Sequence, residues 1–255
     1  MRFASLGSGS RGNGTLVEYR ETCVLLDCGF RLKEVEARLA RLGKRPEQLA
    51  AVLVTHEHSD HIGGVGALAR KYRLPVWMTR GSALAERHGK LPSLNIIEGY
   101  STFSVGDLKI DPFPVPHDAR EPCQFVFTGG NCRLGILTDL GTVTDHVTEM
   151  LTSCDGLLLE CNHDEEMLRR GRYPAALKRR VGGALGHLSN RQAAELLASL
   201  ERCRIQHLVA THLSQENNRP EQVIQCLAQA SGWQPEDIRI ADQELGFDWL
   251  SLTGN

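Results

Sequence analysis

Aromatic residues make up only 5% of this 255-residue chain, its formal net charge is -2, and no stretch approaches the roughly 18 consecutive apolar residues of a membrane span. So small a net charge gives no global attraction for nucleic acid, and any basic surface must be local. Met1-Arg-Phe-Ala-Ser-Leu-Gly runs straight into strand-like sequence without the apolar segment of a signal peptide. No membrane partner is expected, and a soluble cytoplasmic protein is. Among eight cysteines (Cys23, Cys28, Cys123, Cys132, Cys154, Cys161, Cys203 and Cys226) there is no C-x-x-C pair, and most lie in apolar segments, as reduced, buried thiols do. No linker and no obvious repeat divides the chain, so residues 1–255 read as a single domain.

Against these absences, 41% hydrophobic content supports a real core, and 25 glycines among alternating strand-like and helix-like segments suit a layered α/β fold. Residues 1–7, 14–19 and 22–27 read as strands, and Arg31 to Leu42 as an amphipathic helix. The rest of the chain is organised around Ala51-Val-Leu-Val-Thr-His56-Glu-His58-Ser-Asp60-His61-Ile-Gly-Gly-Val. A buried strand runs into four potential metal ligands, and a helical pattern resumes over Ile62 to Tyr72. An extended backbone sends alternate side chains the same way, so His56 and His58 can share one cation while Asp60 and His61 face a neighbouring position. A chance His-rich surface turn does not explain H-x-H-x-D-H placed directly after an apolar strand.

The Thr55-His56-x-His58-x-Asp60-His61 run resembles the signature of the metallo-β-lactamase superfamily of hydrolases. That resemblance implies an αββα four-layer sandwich, with two mixed sheets face to face and helices outside. Further ligands are sought where strands end: at His117 after Phe113-Pro-Val-Pro, at Asp139 after a hairpin turning at residues 129–131, and at His212 after Ile205 to Thr211. The plain alternatives are a structural His117 and an Asp139 that caps the next helix. The resemblance assigns His56, His58 and His117 to one ion and Asp60, His61 and His212 to the other, with Asp139 bridging and Asp27 supporting the loop from behind. Such donors suit two divalent ions, Zn²⁺ first and Mn²⁺ or Fe next, and a bound water acidified towards pH 7. Flavin-linked diiron relatives carry H-x-E-x-D, and His58 stands in place of their Glu, which disfavours oxygen chemistry. Ser82 to His88 and Val143 to Leu151 read as helices, with His88 and His146 solvated.

Leu157-Leu-Leu-Glu160 and Gly186-His187-Leu-Ser-Asn190 are similar to paired motifs of the superfamily's phosphodiesterase branch. They imply His187 as proton donor to the leaving oxygen or as phosphate contact, oriented by Glu160, beside a helix capped by Asn190. A His187 that only caps its helix is the plain alternative. Met167 to Val181 carries six basic residues and no acid, among them Arg169, Arg170 and Arg172, with Tyr173 interleaved. It reads as a solvated helix face or as a cationic arm along a nucleic-acid backbone. The Gly7 to Gly14 loop offers backbone N–H groups to an anion, with Arg11 as a further phosphate contact.

Together with Ser8-Gly-Ser-Arg-Gly-Asn13, Glu160-Cys-Asn162-His163-Asp164 and Thr211-His-Leu-Ser-x-x-Asn217-Asn218, these motifs resemble the YycJ/WalJ-like bacterial group, regarded as DNA exonucleases acting from 5′ ends. Asn13, His163, Asn217 and Asn218 join the expected substrate contacts on that basis, and Asp60 is expected to be catalytic as well as a ligand. The short spacers between His117, Asp139 and His212 leave no room for a tRNA-gripping arm or a β-CASP insert. The resemblance thus implies a dinuclear-metal phosphodiesterase acting on DNA, with a hydroxide between the metals attacking phosphorus. The alternatives are a small-molecule phosphodiesterase and a non-catalytic, metal-bound interaction module.

Overall fold

The first 26 residues of the chain fold as an antiparallel meander, β1 (Arg2–Gly7), β2 (Gly14–Tyr19) and β3 (Thr22–Leu26), in a computed structural model that describes residues 1–200 and 204–254. Crossovers then add parallel strands, in the order α1 (Leu32–Arg41), β4 (Ala51–Leu53), α2 (Ser59–Ile62), α3 (Val65–Tyr72), β5 (Val76–Thr79), α4 (Arg80–Leu84) and β6 (Leu94–Ile97). A second meander comes next: β7 (Phe103–Val105), β8 (Leu108–Pro114), β9 (Cys123–Gly129) and β10 (Cys132–Leu137). It too continues into parallel strands, through α5 (Asp145–Leu151), β11 (Gly156–Glu160), α6 (Glu165–Arg170), α7 (Ala175–Val181), α8 (Asn190–Ser199), β12 (His207–Thr211), α9 (Pro220–Ser231) and β13 (Ile238–Ile240). Finally β14 (Phe247–Ser251) returns to pair with β1.

Among the described residues these strands make two seven-stranded sheets, β14-β1-β2-β3-β4-β5-β6 and β13-β12-β11-β10-β9-β8-β7. Alternation along buried strands explains the layers, because successive side chains leave opposite faces. Leu158 meets the other sheet alongside Phe125, Phe127, Leu53 and Val24, while Leu157 and Leu159 pack outward on Val147 and Leu151 of α5 and Leu197 of α8. On the far side, Leu16, Leu25 and Val52 bury against Val35 and Leu39 of α1 and Leu68 of α3. The result is the expected αββα sandwich.

Several boundaries differ from the sequence expectation, each for a local reason. The strand before the ligand run is only Ala51–Leu53, and helix begins inside the motif at Ser59 rather than at Ile62. The helix expected over Ser82 to His88 instead starts at Arg80, because the Thr79 side chain caps it, and ends before Glu86, which turns left-handed at φ 53°. His146 is half-buried rather than solvated, with its ring 5.4 Å from Tyr100 and 6.5 Å from Phe113. Ser189, not Asn190, caps α8, since its side chain accepts from Gln192 in a capping box. The seven described cysteines are unpaired, and Cys203 lies outside the described residues. No described helix is long and apolar enough to cross a membrane.

Candidate metal centre

The ligand candidates converge at one edge of the sandwich, where strands of both sheets end. His56, His58 and His117 form one group whose ligand atoms all lie within 4.8 Å of one another, and Asp60, His61 and His212 form a second. Asp139 joins His56 and His61 in a third. Asp27, Asp139 and His212 hold left-handed backbone, with φ of 60°, 54° and 54°. Such conformations cost energy in non-glycine residues and persist where surrounding structure fixes them. Gly29 lets the motif close against the first meander, because a Cβ there would sit 1.9 Å from the Asp60 carbonyl oxygen.

Hydrogen bonds behind the cluster leave one nitrogen of each imidazole facing the centre. Asp27 Oδ2 lies 2.8 Å from His61 Nδ1 and also accepts from the Thr55 hydroxyl, which stands 3.0 Å from His56 Nδ1. The carbonyl oxygen of Gly186 lies 2.9 Å from His117 Nδ1, and that of Asp118 lies 3.2 Å from His58 Nε2. These carboxylate and carbonyl partners fix the tautomers that a cation needs. Two buried atoms then test the fit. Among the described residues His56 Nε2 and Asp139 Oδ2 have no hydrogen-bond partner, although Oδ2 approaches His61 Nε2 to 3.0 Å. Buried polar atoms are rarely left unsatisfied, and three to four nitrogen and oxygen donors around each position suit a divalent ion.

Electrostatics points the same way. Burial and the neighbouring His61 push the His56 pKa well below its ordinary value. Burial also opposes charge on His61 and His212, but Asp139, Asp60 and Asp27 outweigh it for His61, and Asp139, Asp60 and Glu160 raise His212 to about 10. Burial disfavours an ionised Asp139 as well, yet His212 and His61 hold its carboxyl well below the usual range. Without a cation, protons on imidazoles balance the acids. Divalent ions at the same place would displace those protons.

Glu160 lies wholly buried at the end of β11, where one oxygen accepts from the Leu140 N–H at 2.8 Å and the Leu188 N–H at 3.2 Å. Its other oxygen lies 2.7 Å from His187 Nδ1 and 3.4 Å from His212 Nδ1, so one carboxylate orients both rings. A cleft of about 480 Å³ opens on the cluster and is lined by His58, Asp60, Asp139, His187 and His212.

The remaining candidates divide sharply. Asn13 is buried behind the ligand run, with Nδ2 3.1 Å from His61 Nε2 and 3.1 Å from the Gly9 carbonyl. Asn217 and Asn218 are buried too: Asn218 donates to Cys161 and pairs with Asn190, and Asn217 accepts from the Asp164 N–H through its carbonyl. They fasten loops and do not line the cleft. His163 is 3% exposed, beneath Gly182, with Nδ1 unpartnered. In the first loop the N–H groups of Ser8, Gly9, Arg11, Gly12 and Asn13 already reach protein acceptors and are not free for an anion, while Ser10 lines the cleft. Arg11 pairs with Glu244 at 2.5 Å, and Arg169 and Arg170 with Glu166, while Arg172 is exposed and none of the four lines the cleft. Sequence reasoning missed Arg180, Arg87, Asn162 and Ser10, which do line it, and Gln243, which braces the first loop. Asn162 stands in the Glu160 to Asp164 motif and Arg180 in the basic run, but nothing local marks Gln243 or Arg87.

Two facing mixed sheets with a His/Asp cluster at their shared edge define a metal-dependent hydrolase of the metallo-β-lactamase class. The chain belongs to that superfamily: the family model described as "Beta-lactamase superfamily domain" matches residues 22–213. It is 38% identical over 229 residues to exodeoxyribonuclease YycJ of Bacillus anthracis, covering 87% of this chain and 85% of the relative. Identity to exodeoxyribonuclease WalJ of Streptococcus pneumoniae is also 38%, over 251 residues, covering 94% and 93%. The metallo-β-lactamase fold protein YhfI from Bacillus subtilis shares the fold with a TM-score of 0.76 at 17% identity, over 98% of both chains.

Proposed function

We propose that residues 1–255 act as one catalytic domain, a dinuclear-metal phosphodiesterase that removes nucleotides from DNA 5′ ends. The observation that carries this reading beyond metal hydrolysis is the Glu160–His187 pair, 2.7 Å apart beside the ligand cluster. The near-full-length similarity to proteins named exodeoxyribonucleases supports DNA as the polymer.

In this reading His56, His58 and His117 hold one ion, Asp60, His61 and His212 the other, and Asp139 faces both; the nitrogen-rich donor set favours Zn²⁺ over Mn²⁺ or Fe. Bound there, the ions supply Lewis-acid stabilisation and an acidified water. Everything else falls to the chain. Asp27 and Thr55 keep His61 and His56 oriented from behind. Glu160 takes the Nδ1 side of His187, which leaves Nε2 to deliver a proton to the departing oxygen. The buried, unpaired thiols fit a reducing cytoplasm.

Zinc-loaded protein is expected to release mononucleotides from a 5′-labelled duplex, and Asp60→Ala to abolish that release. A panel of Zn²⁺, Mn²⁺ and Fe²⁺ reads the metal. Metal-replete protein that cleaves no DNA or RNA would overturn the proposal.

A further inference from the structure

Among the described α-helices, α7 alone has no buried residue. It nevertheless carries an apolar stripe. Leu177 and Val181 lie four positions apart on it with Arg180 three positions after Leu177, so these three share one face, and Tyr173 stands just before the extended N-cap Pro174. All four line the cleft over the metal centre. An apolar stripe with no core beneath it, turned towards a polar reaction centre, is suited to a ligand surface.

Three cations of the neighbouring run are engaged elsewhere, since Arg169 and Arg170 bind Glu166 and Lys178 donates to the Arg169 carbonyl at 2.8 Å, and Arg172 and Arg179 are exposed and do not line the cleft. Arg180 differs. Its Nε donates to Asp118 Oδ2 at 2.5 Å, and among the described residues no acceptor takes its two terminal nitrogens. Asp118 is next in sequence to the ligand His117, and its other carboxylate oxygen lies 3.5 Å from His117 Nε2, which places Arg180 beside the reaction centre.

The end of α7 is also tied to the chemistry. His187 donates its N–H to the Val181 carbonyl at 2.8 Å, Asp118 donates to Leu185 at 3.0 Å, and Gly186 holds His117 through its carbonyl. A Cβ on Gly186 would meet the carbonyls of Arg180 and Val181 at 2.2 Å, so the turn closes only with glycine there.

We propose that the face Tyr173-Leu177-Arg180-Val181 is a nucleotide subsite. The Tyr173 ring stacks on an unpaired base, Leu177 and Val181 pack against base and sugar, and Arg180 takes the backbone phosphate next to the one at the metal centre. Asp118 holds the guanidinium ready by one nitrogen and leaves its amino groups to the phosphate. The inference rests on the nuclease reading and names where that substrate is gripped.

The test compares full-length zinc-loaded variants on a single-stranded oligonucleotide and on bis(p-nitrophenyl) phosphate, with anisotropy titration of a labelled phosphorothioate oligonucleotide as the binding readout. Tyr173→Leu, which keeps an apolar side chain beside the stripe, is expected to raise KM and the anisotropy Kd for the oligonucleotide about 10-fold, and Tyr173→Phe to restore both. Arg180→Ala is expected to make the log–log salt dependence of Kd shallower by about one unit, and Arg180→Lys to restore the slope. In both cases the loss of kcat/KM is at least about fivefold greater on the oligonucleotide than on the small diester. Equal losses on the two substrates, or oligonucleotide binding as tight as that of the unaltered protein, overturn the subsite. Unaltered protein that hydrolyses the diester but neither cleaves nor binds DNA overturns the nuclease reading instead.

Discussion

The two sheets repeat one pattern of strand directions, yet they supply the site unequally. From β14 to β6, and again from β7 to β13, the pairings run three antiparallel and then three parallel. The first sheet delivers four candidate ligands in a single run after β4, whereas the second delivers its candidates singly, after β8, β10 and β12. Corresponding strand ends make the contrast sharpest. Asp27 comes directly after β3 and Asp139 comes after its counterpart β10, both buried and both left-handed. Leu26 pairs with Leu53 and Leu137 with Leu159, so Asp139 stands one residue further out along its strand. That offset separates a carboxylate hydrogen-bonded behind His61 from one set within the cluster, as the proposed second-line and cation-facing roles require.

Asparagine tolerates left-handed backbone, so matched Asp→Asn changes probe the carboxylates and not the turns. Asp139→Asn is expected to have the largest effect: fewer than two ions per folded chain by elemental analysis, and DNA hydrolysis at background. Next comes His187→Gln, where loss of proton delivery lowers kcat roughly 10²–10⁴-fold while two ions stay bound. Asp27→Asn is smaller. Its amide has a single acceptor oxygen, so it cannot take the Thr55 N–H on one side and the Thr55 hydroxyl with His61 on the other as the carboxylate does, and losses of this kind behind a metal ligand cost roughly 10–100-fold in metal affinity or activity. Equal metal loss in the two Asp→Asn variants would break the distinction between them.

How much of the molecule was legible in the sequence depends on where the information lies. The sandwich and the clustering of the candidate ligands were legible because strand periodicity is local and because His56 to His61 places four donors on one loop. The structure brings His117, Asp139, Glu160, His187 and His212 to that loop as expected. The substrate contacts were not legible. Asn13, Asn217 and Asn218 are polar residues in site motifs, and only their long-range bonds show that they fasten loops behind the centre. Likewise the basic run reads as uniformly cationic, since the Glu166 that takes up Arg169 and Arg170 lies just outside it and only the fold turns Arg180 to the cleft. Helix ends at Thr79 and Ser189 were misread because several polar residues there can cap, and side-chain geometry decides among them.

The smallest expected effect tests whether the halves differ in acid sensitivity away from the site. Glu18 on β2 lies between Arg2 and Lys44, with its side chain only 10% exposed. Burial opposes its charge, but hydrogen bonds and charge from Lys44 and Arg2 outweigh that and lower its pKa below the ordinary 4.5. A depressed carboxylate pKa contributes stability that is fully present above the unfolded value and is lost as pH falls through the folded one. The melting temperatures of unaltered protein and Glu18→Gln should therefore differ by a constant amount from pH 7 to 5 and converge below about 4.5. The gap should be a few degrees at most, since about 1 kcal/mol moves Tm by roughly 2–4 °C in a chain of this size. On acidification, amides of β1 and β2 should lose hydrogen-exchange protection before those of their counterparts β8 and β9. A gap that persists undiminished well below pH 4 would show that Glu18 stabilises the first sheet by packing and not by charge.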